Sequence, residues 1–243
     1  PTPGERTGMS DDIDVRVNFG KPMPVFPIDG LVMLPQQVIP LHIFEERYRQ
    51  MVSQVLDEAG QIAMALFEGG GWQADYQGRP PLRPSVCIGQ IVQHEKLDDG
   101  RYNILLQGVC RARITQELPP SPTRLYREVM LEPVEREPAD EAVLQHHRDW
   151  LEQELGEGEL SRLRASEDIL EYVRNDDVPT PILFELLSFT LLTDVNLRYG
   201  LLAEPDPLRR AELVRNDLER VRRMIRLADK QRADEWPKGM SWN

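Results

Sequence analysis

The chain has 243 residues, of which 40% are hydrophobic and 29% charged, and its formal net charge at pH 7 is −12. The length suffices for one large domain or two small ones, and the composition is ordinary for a globular protein. The negative charge argues against a main affinity for phosphate backbones, and no apolar run reaches the roughly 18–20 residues that would span a bilayer. Cys87 and Cys110 form no spaced cluster, which argues against a disulfide framework or a zinc site and favours a reduced, cytoplasmic setting.

The first predicted elements are strands that precede a helix. Residues 1–22 begin with a polar stretch without periodicity and are expected to form a flexible tail. Apolar runs bounded by proline and glycine predict strands at 25–28 and 31–34. Apolar residues then recur at helical spacing, which predicts an amphipathic helix over 41–59 with Phe44 and Tyr48 in the core.

Apolar runs and, further on, alternating apolar and polar residues predict that strands continue beyond this helix. The expected strands cover residues 61–67, 86–97, 102–114 and 126–134. Asp98-Asp99-Gly100 predicts a hairpin turn between the second and third of these, because Asp-Gly tolerates the positive φ of such turns. In 102–114 and 126–134 apolar and polar residues alternate strictly, which indicates one buried face and one solvent-exposed face. Residues 23–135 are therefore predicted to form a mostly antiparallel, partly closed barrel or sandwich with one embedded helix, within an α+β fold.

Residues 138–232 read as a helical subdomain, followed by a C-terminal tail at 233–243. Helices are predicted at 139–155, 161–173, 180–192 and from Asp206-Pro207 to about 232. Thr180-Pro181 is interpreted as an N-cap followed by proline at the first helical position.

Charge is unevenly distributed over these helices. Residues 140–177 carry twelve acids and four bases, whereas residues 207–232 carry nine bases and four acids. A basic amphipathic helix can bind a membrane or an acidic partner. We favour the alternative, that the basic helix packs on its own acidic neighbour, because its apolar stripe needs burial.

Two motifs carry a resemblance to a known family. The first reads PVFPI…LVMLPQQVIPLHIFEERYRQMV and the second IGQIVQHEKLDDGRYNILLQGVCRARI. In this order and at this separation they resemble the Lon protease N-terminal, substrate-binding domain. The run LLAEPDPLRRAELVRNDLERVRRMI is similar to the helical part that follows in Lon proteins. The resemblance implies a PUA-like β-barrel and a helical subdomain, in the part of the protease that does no chemistry. One departure is Gln36-Gln37, where the family often has a glycine.

No catalytic, cofactor or metal site emerges from the motifs. An ATPase would need a G-x-x-x-x-G-K-[ST] loop, which does not occur. None of the four lysines lies in a context that indicates a desolvated base for a serine–lysine pair. His146-His147 does not match H-E-x-x-H and is expected to be an exposed structural pair. We therefore interpret the chain as non-enzymatic.

Residues 69–85 are the segment that indicates binding. They form a stretch of 17 residues between two predicted strands, and loops longer than about 12–15 residues are often functional or disordered. Trp72, Tyr76 and Arg79 are the candidate partner-binding residues, since such side chains anchor interfaces. The alternative, that Trp72 covers the barrel edge while the loop tip is mobile, stays open.

Three functions are compatible with these observations. The favoured hypothesis, implied by the resemblance, is a module that binds unfolded or flexible polypeptide and acts as an adaptor or a decoy for proteolysis, with a protease as a further partner. The second is an RNA-binding PUA-like protein. It ranks lower because residues 23–134 hold thirteen acids and ten bases with no basic stripe among aromatics. A peptidase ranks third. The sequence leaves the oligomeric state open.

Overall fold

The computed structural model describes residues 15–76, 78–134 and 141–230. The strands in these ranges are β1 (Met23–Pro27), β2 (Val38–Ile43), β3 (Gln61–Ala65), β4 (Ser85–Lys96), β5 (Tyr102–Glu117) and β6 (Arg127–Pro133). The α-helices are α1 (Glu46–Leu56), α2 (Glu141–Gly156), α3 (Ser166–Arg174), α4 (Thr180–Thr190), α5 (Val195–Ala203) and α6 (Pro207–Lys230). Short 3₁₀ helices lie at Trp72–Asp75 and Glu159–Arg162. The predicted α+β class is confirmed. Among the described helices, none is both long and apolar enough to cross a membrane.

The strand β5 gives the sheet its curvature. Its first half pairs with β2 and its second half with β6, while β4 runs antiparallel along most of its length. β1 pairs with β3 in parallel and with β6 antiparallel, and β3 pairs antiparallel with β4. The order is β2-β5-β4-β3-β1-β6 with an additional β5–β6 pairing, so the sheet curls back on itself. Register shifts within the β4–β5 pair help these long strands to bend.

Two hydrophobic cores hold the described residues together. The smaller core collects inward-facing residues of β1, β3, β4, β5 and β6, including three alanines that suit a narrow interior. Val17 and Phe19, which precede β1, pack against it, so ordered contacts begin before residue 22. The larger core joins the opposite faces of the strands to α1 and to the helices after residue 141.

A buried polar cluster fixes the helices against the strands. Arg111 of β5 donates to Glu185 of α4 (2.8 Å) and to the carbonyl oxygen of Leu201 in α5 (3.1 Å). Arg210 of α6 lies 3.1 Å from the other Glu185 oxygen. The Ser85 amide donates to the Tyr199 hydroxyl (2.9 Å), which adds a contact between β4 and α5.

The first helix differs from its prediction in where it begins. β2 occupies part of the stretch predicted as helix, and α1 starts only at Glu46. Phe44 lies between them and is 61% exposed, so its predicted core position is wrong, whereas Tyr48 is buried as expected. The reason is that Val38–Ile43 alternates outward and inward side chains against β5, which a helix start would not allow.

Other differences concern the segment after β1 and the helical part. Residues 31–34 do not form the predicted strand, although Val32, Met33 and Leu34 are buried in the larger core. The helix α5 was not predicted; the Asp194 side chain caps it by accepting from the Leu197 amide (2.8 Å).

Of the two predicted helix starts in this part, one is wrong and the other is confirmed. Thr180 is not an N-cap: it is the first residue of α4, and its amide and hydroxyl donate to the Glu141 carboxylate of α2. Asp206 does precede α6 and accepts from the Leu208 amide, as predicted.

The predicted packing of the basic helix on its acidic neighbours is confirmed. Ion pairs join α6 to α2 and to the adjoining 3₁₀ helix: Arg222 with Glu154, Arg226 with Glu159, and Asp229 with Arg162. The predicted boundary around 135–138 and the predicted tail at 233–243 lie outside the described residues, as does most of the N-terminal tail.

Candidate functional site

A groove of about 600 Å³ opens between the start of α1, the loop after β3 and the β5–β6 connection. We call it the aromatic groove. Its apolar and aromatic lining comes from Val25, Pro27, Tyr48, Phe67, Tyr76, Pro80, Pro120, Leu125 and Tyr126. Its charged lining comes from Glu45, Glu46, Arg47, Arg79, Arg124 and Arg127. A cavity of this size and character suits an organic ligand or a few side chains of a polypeptide.

Stacked rings give one wall of the groove its form. Phe67 and Trp72 stack nearly parallel, with centroids 4.8 Å apart and 8° between planes. Tyr76 meets Trp72 edge to face at 5.6 Å. Such pairs add stability beyond burial of their area. The loop containing Trp72 is therefore packed on the protein through its aromatic side chains.

Tyr76 connects this loop to the start of α1 through a hydrogen bond. Its hydroxyl donates to Glu45 Oε1 (2.6 Å), and burial, together with this hydrogen bond, raises the pKa of Tyr76 above its ordinary value. The Arg47 guanidinium lies 4.5 Å from the Tyr76 centroid and 4.7 Å from that of Tyr48. Its Nε donates to Glu45 Oε2 (3.1 Å). At neutral pH the phenol stays protonated and the cation lies between two rings.

Arg79 connects the later part of the loop to β5 through an ion pair. Its Nε donates to Glu117 Oε1 (2.8 Å), and its Nη2 contacts the same oxygen and the Leu118 carbonyl oxygen (2.7 Å). Arg127 donates to both Glu117 oxygens (2.7 and 2.6 Å) and to the Pro80 carbonyl oxygen (2.8 Å). Burial acts to raise the pKa of Glu117, but the hydrogen bonds from Arg127 and Arg79 outweigh it and lower that pKa.

The three residues singled out from sequence thus lie in one region. Tyr76 and Arg79 line the groove, and Trp72 lies beside it against Phe67. All three make contacts within the protein, and a role in binding a partner stays a prediction. Sequence reasoning missed Glu117 and Arg127, since nothing in the strand alternation marks them.

A second, shallower depression of about 400 Å³ lies on β2, β4 and β5. His42 Nδ1 and Asn103 Oδ1 are 2.7 Å apart, and Asn103 donates to Glu95 (3.0 Å). The described residues contain no group of three or more His, Cys, Asp or Glu placed to hold a metal ion.

Only one histidine of the predicted exposed pair is exposed. His146 faces solvent, but His147 is 4% exposed, because the packing of α2 turns it towards Phe184 of α4. The expectation that both would be exposed is wrong.

The comparisons with known proteins agree on one family. The family model for the ATP-dependent protease La (LON) substrate-binding domain matches residues 22–220. The chain is 28% identical over 211 residues to the Lon protease of Trichlorobacter lovleyi, covering 84% of this chain and 24% of that protein. It is 29% identical to the Escherichia coli K12 Lon protease over 93 residues, covering 38% and 12%. The chain thus spans less than a third of the Lon proteases it matches.

Solved structures of Lon N-terminal domains share the fold. The N-terminal domain of a Mycobacterium avium complex Lon protease has a TM-score of 0.60 at 19% identity, covering 80% of this chain and 96% of that one. A Lon N-terminal domain protein from Xanthomonas campestris has a TM-score of 0.58 at 21% identity, covering 79% and 95%. With its six-stranded curled sheet, following helices and matched residues 22–220, the chain belongs to the LON substrate-binding domain family.

Proposed function

We propose that this protein is a non-catalytic module that binds unfolded or flexible polypeptide in the aromatic groove and acts as an adaptor for proteolysis. The observation that carries the proposal is the groove itself, an aromatic-lined cavity of about 600 Å³ in a chain of the substrate-binding family. We extend the proposal to a cytoplasmic setting and to a protease as a second partner.

The chemistry of the lining suits an extended polypeptide. Ring faces and prolines offer apolar surface, and burying one large apolar side chain contributes roughly 1.5–3 kcal/mol. Arginine N–H groups at the rim can donate to the backbone carbonyl oxygens of a bound segment. Folded proteins bury most of their large apolar side chains and pair most of these carbonyl groups, so the groove discriminates in favour of unfolded chains.

The side chains of the lining also support a binding role without catalysis. Among the described groove residues there is no serine, cysteine, lysine or histidine to act as nucleophile or as a base near neutral pH. Two tyrosine hydroxyls of the lining are held as donors, Tyr76 to Glu45 (2.6 Å) and Tyr126 to Gln54 (2.6 Å).

The test is binding of fluorescently labelled, dephosphorylated casein, measured by anisotropy. Leu125 lines the groove and is 52% exposed, so Leu125→Ser removes apolar contact without opening the core. We expect this variant to bind casein about five-fold more weakly, corresponding to about 1 kcal/mol. Met224→Ser on α6 is the matched control, because Met224 is 55% exposed and distant in sequence from the groove elements.

Three results contradict the proposal. One is the absence of casein binding by the wild-type protein. The second is salt-sensitive binding of an RNA oligonucleotide with no binding of polypeptide. The third is casein cleavage that persists through purification to constant specific activity.

A further inference from the structure

We infer that the aromatic groove selects polypeptide segments in which a large apolar or aromatic side chain is flanked by carboxylates. This inference rests on the proposed function and names the substrate class of the same groove. The feature that carries it is the juxtaposition of arginines with ring faces in an otherwise acidic protein.

The groove is less acidic than the chain as a whole. Its described lining includes four arginines, Arg47, Arg79, Arg124 and Arg127, against two glutamates, whereas the chain carries a net charge of −12. Glu117 and Glu128 pair with three of these arginines from outside the lining. Counting these two glutamates, four cations balance four anions in and around the groove, whereas the chain as a whole is strongly acidic. A carboxylate therefore meets less repulsion at the groove than over the rest of the surface.

The arginines retain donors beyond those their internal partners use. Each guanidinium has five N–H groups. Arg124 uses Nη1 for Glu128 (2.8 Å) and Nη2 for the Pro119 carbonyl oxygen (3.2 Å), its Nε is buried, and each Nη group carries a second N–H that these two contacts do not use. A carboxylate from a ligand can share this partly exposed cation, as charge-assisted hydrogen bonds favour.

The arginines also lie beside the surfaces that would hold a ring. Arg47 lies between Tyr48 and Tyr76, and Arg124 lies 6.0 Å from the Tyr126 ring. Residues of an extended peptide follow each other at about 3.4 Å. Successive side chains of such a segment point to opposite sides, so a segment that bends at the bound ring brings the flanking carboxylates to a guanidinium beside the groove.

The experiment compares short Gly/Ser peptides with Asp-Phe-Asp, Asn-Phe-Asn, Lys-Phe-Lys or Asp-Gly-Asp at the centre, bound to the full chain and followed by anisotropy. We expect Asp-Phe-Asp to bind about five-fold more tightly than Asn-Phe-Asn, and Lys-Phe-Lys and Asp-Gly-Asp to bind more weakly still. Salt should reduce the Asp-over-Asn ratio, because these arginines are partly exposed.

Variants of one rim arginine give the decisive comparison. Arg124→Gln should bring the Asp-over-Asn ratio close to one, and Arg124→Lys should retain part of it. Arg209→Gln on α6, where Arg209 is exposed and does not line the groove, should leave the ratio as in the wild type. Thermal melts verify that each variant is folded.

The outcomes separate this inference from the proposed function. Equal binding of Asp-Phe-Asp and Asn-Phe-Asn, with binding still weakened by Leu125→Ser, overturns the acidic preference and leaves polypeptide binding intact. A ratio that survives Arg124→Gln, equal binding of Asp-Gly-Asp and Asp-Phe-Asp, or displacement of the peptide by an RNA oligonucleotide at lower concentration also overturns it. Absence of binding by all peptides and by casein removes the proposed function itself.

Discussion

Arg111 and Glu185 form a buried ion pair of 2.8 Å that joins the strands to the helices, with side chains 1% and 7% exposed. Arg210 approaches the same carboxylate from α6. One anion thus lies between two cations where water is excluded. Breaking such a cluster leaves a buried charge without compensation, which costs far more than loss of a surface pair.

The first prediction concerns this cluster. Glu185→Gln keeps the shape of the side chain but removes the anion, so we expect the free energy of unfolding in urea to fall by about 3–5 kcal/mol. Glu152→Gln is the control, because Glu152 pairs with Arg174 in an exposed position and should lose less than about 1 kcal/mol. Similar small losses for both variants would show that the buried cluster does not hold the two parts together.

The second prediction concerns the turn before β2. Gln36 adopts a φ of 66°, a conformation that costs a residue with a Cβ about 1–2 kcal/mol. Gln36→Gly should therefore stabilise the protein by roughly 0.5–1 kcal/mol after the entropy of glycine is subtracted. Gln37→Gly should destabilise it, since Gln37 Oε1 accepts from the Leu34 amide (3.2 Å). Urea unfolding measures both, and shifts of the same sign would contradict this account of the turn.

The third prediction concerns pH. Burial, and then His146 and Arg215, lower the pKa of His147, against an opposing attraction from Glu212. Its ring nitrogens have no hydrogen-bond partner among the described residues. The unfolded chain, with a histidine pKa of about 6.5, therefore takes up the proton first as the pH falls. The contribution to stability is complete above that pH and decreases below it, by at most about 1.4 kcal/mol per pH unit.

Urea unfolding at pH 7.5 and 5.5 tests this prediction. We expect the wild type and His146→Asn to lose stability between these conditions, and His147→Leu to lose less. The same decrease in all three proteins would rule out His147 as its source.

The fourth prediction concerns the attachment of the loop to α1. Tyr76→Phe removes the donor to Glu45, so the amides of residues 69–85 should exchange more quickly with deuterium, by about five-fold for a loss of about 1 kcal/mol. The Ala74 amide, which donates to the Gly71 carbonyl oxygen, is the most direct reporter. Tyr172→Phe, at an exposed position on α3, is the control. Unchanged exchange in the Tyr76 variant would mean that this hydrogen bond does not restrain the loop.

Much of the fold could be read from local patterns. The apolar run of β4, the alternation in β5 and the Asp-Gly turn between them predict the central hairpin, and Asp206-Pro207 predicts the start of α6. β2 was missed because Pro40 and the following apolar residues also suit a helix start. Its pairing with β5, some 60 residues away in sequence, makes this segment a strand. Local propensity does not contain that contact.

The candidate site was predictable only in part. Loop length and residue type indicated Trp72, Tyr76 and Arg79. Their partners come from distant positions, since Tyr76 binds Glu45 and Arg79 binds Glu117. These hydrogen bonds depend on the curl of the sheet, which brings β5 and the start of α1 to the same side. No short-range sequence pattern predicts a contact between residues so far apart in the chain.

The most direct measurement of polypeptide binding in the groove is site-specific photo-crosslinking. A photo-reactive amino acid replaces Leu125 in the groove or, as a control of similar exposure, Met224 on α6. Both proteins are irradiated with dephosphorylated casein. Binding in the aromatic groove predicts strong crosslinking from position 125, competed by unlabelled Asp-Phe-Asp peptide, and little from position 224. Equal crosslinking from both positions, or crosslinking from position 224 alone, would contradict it.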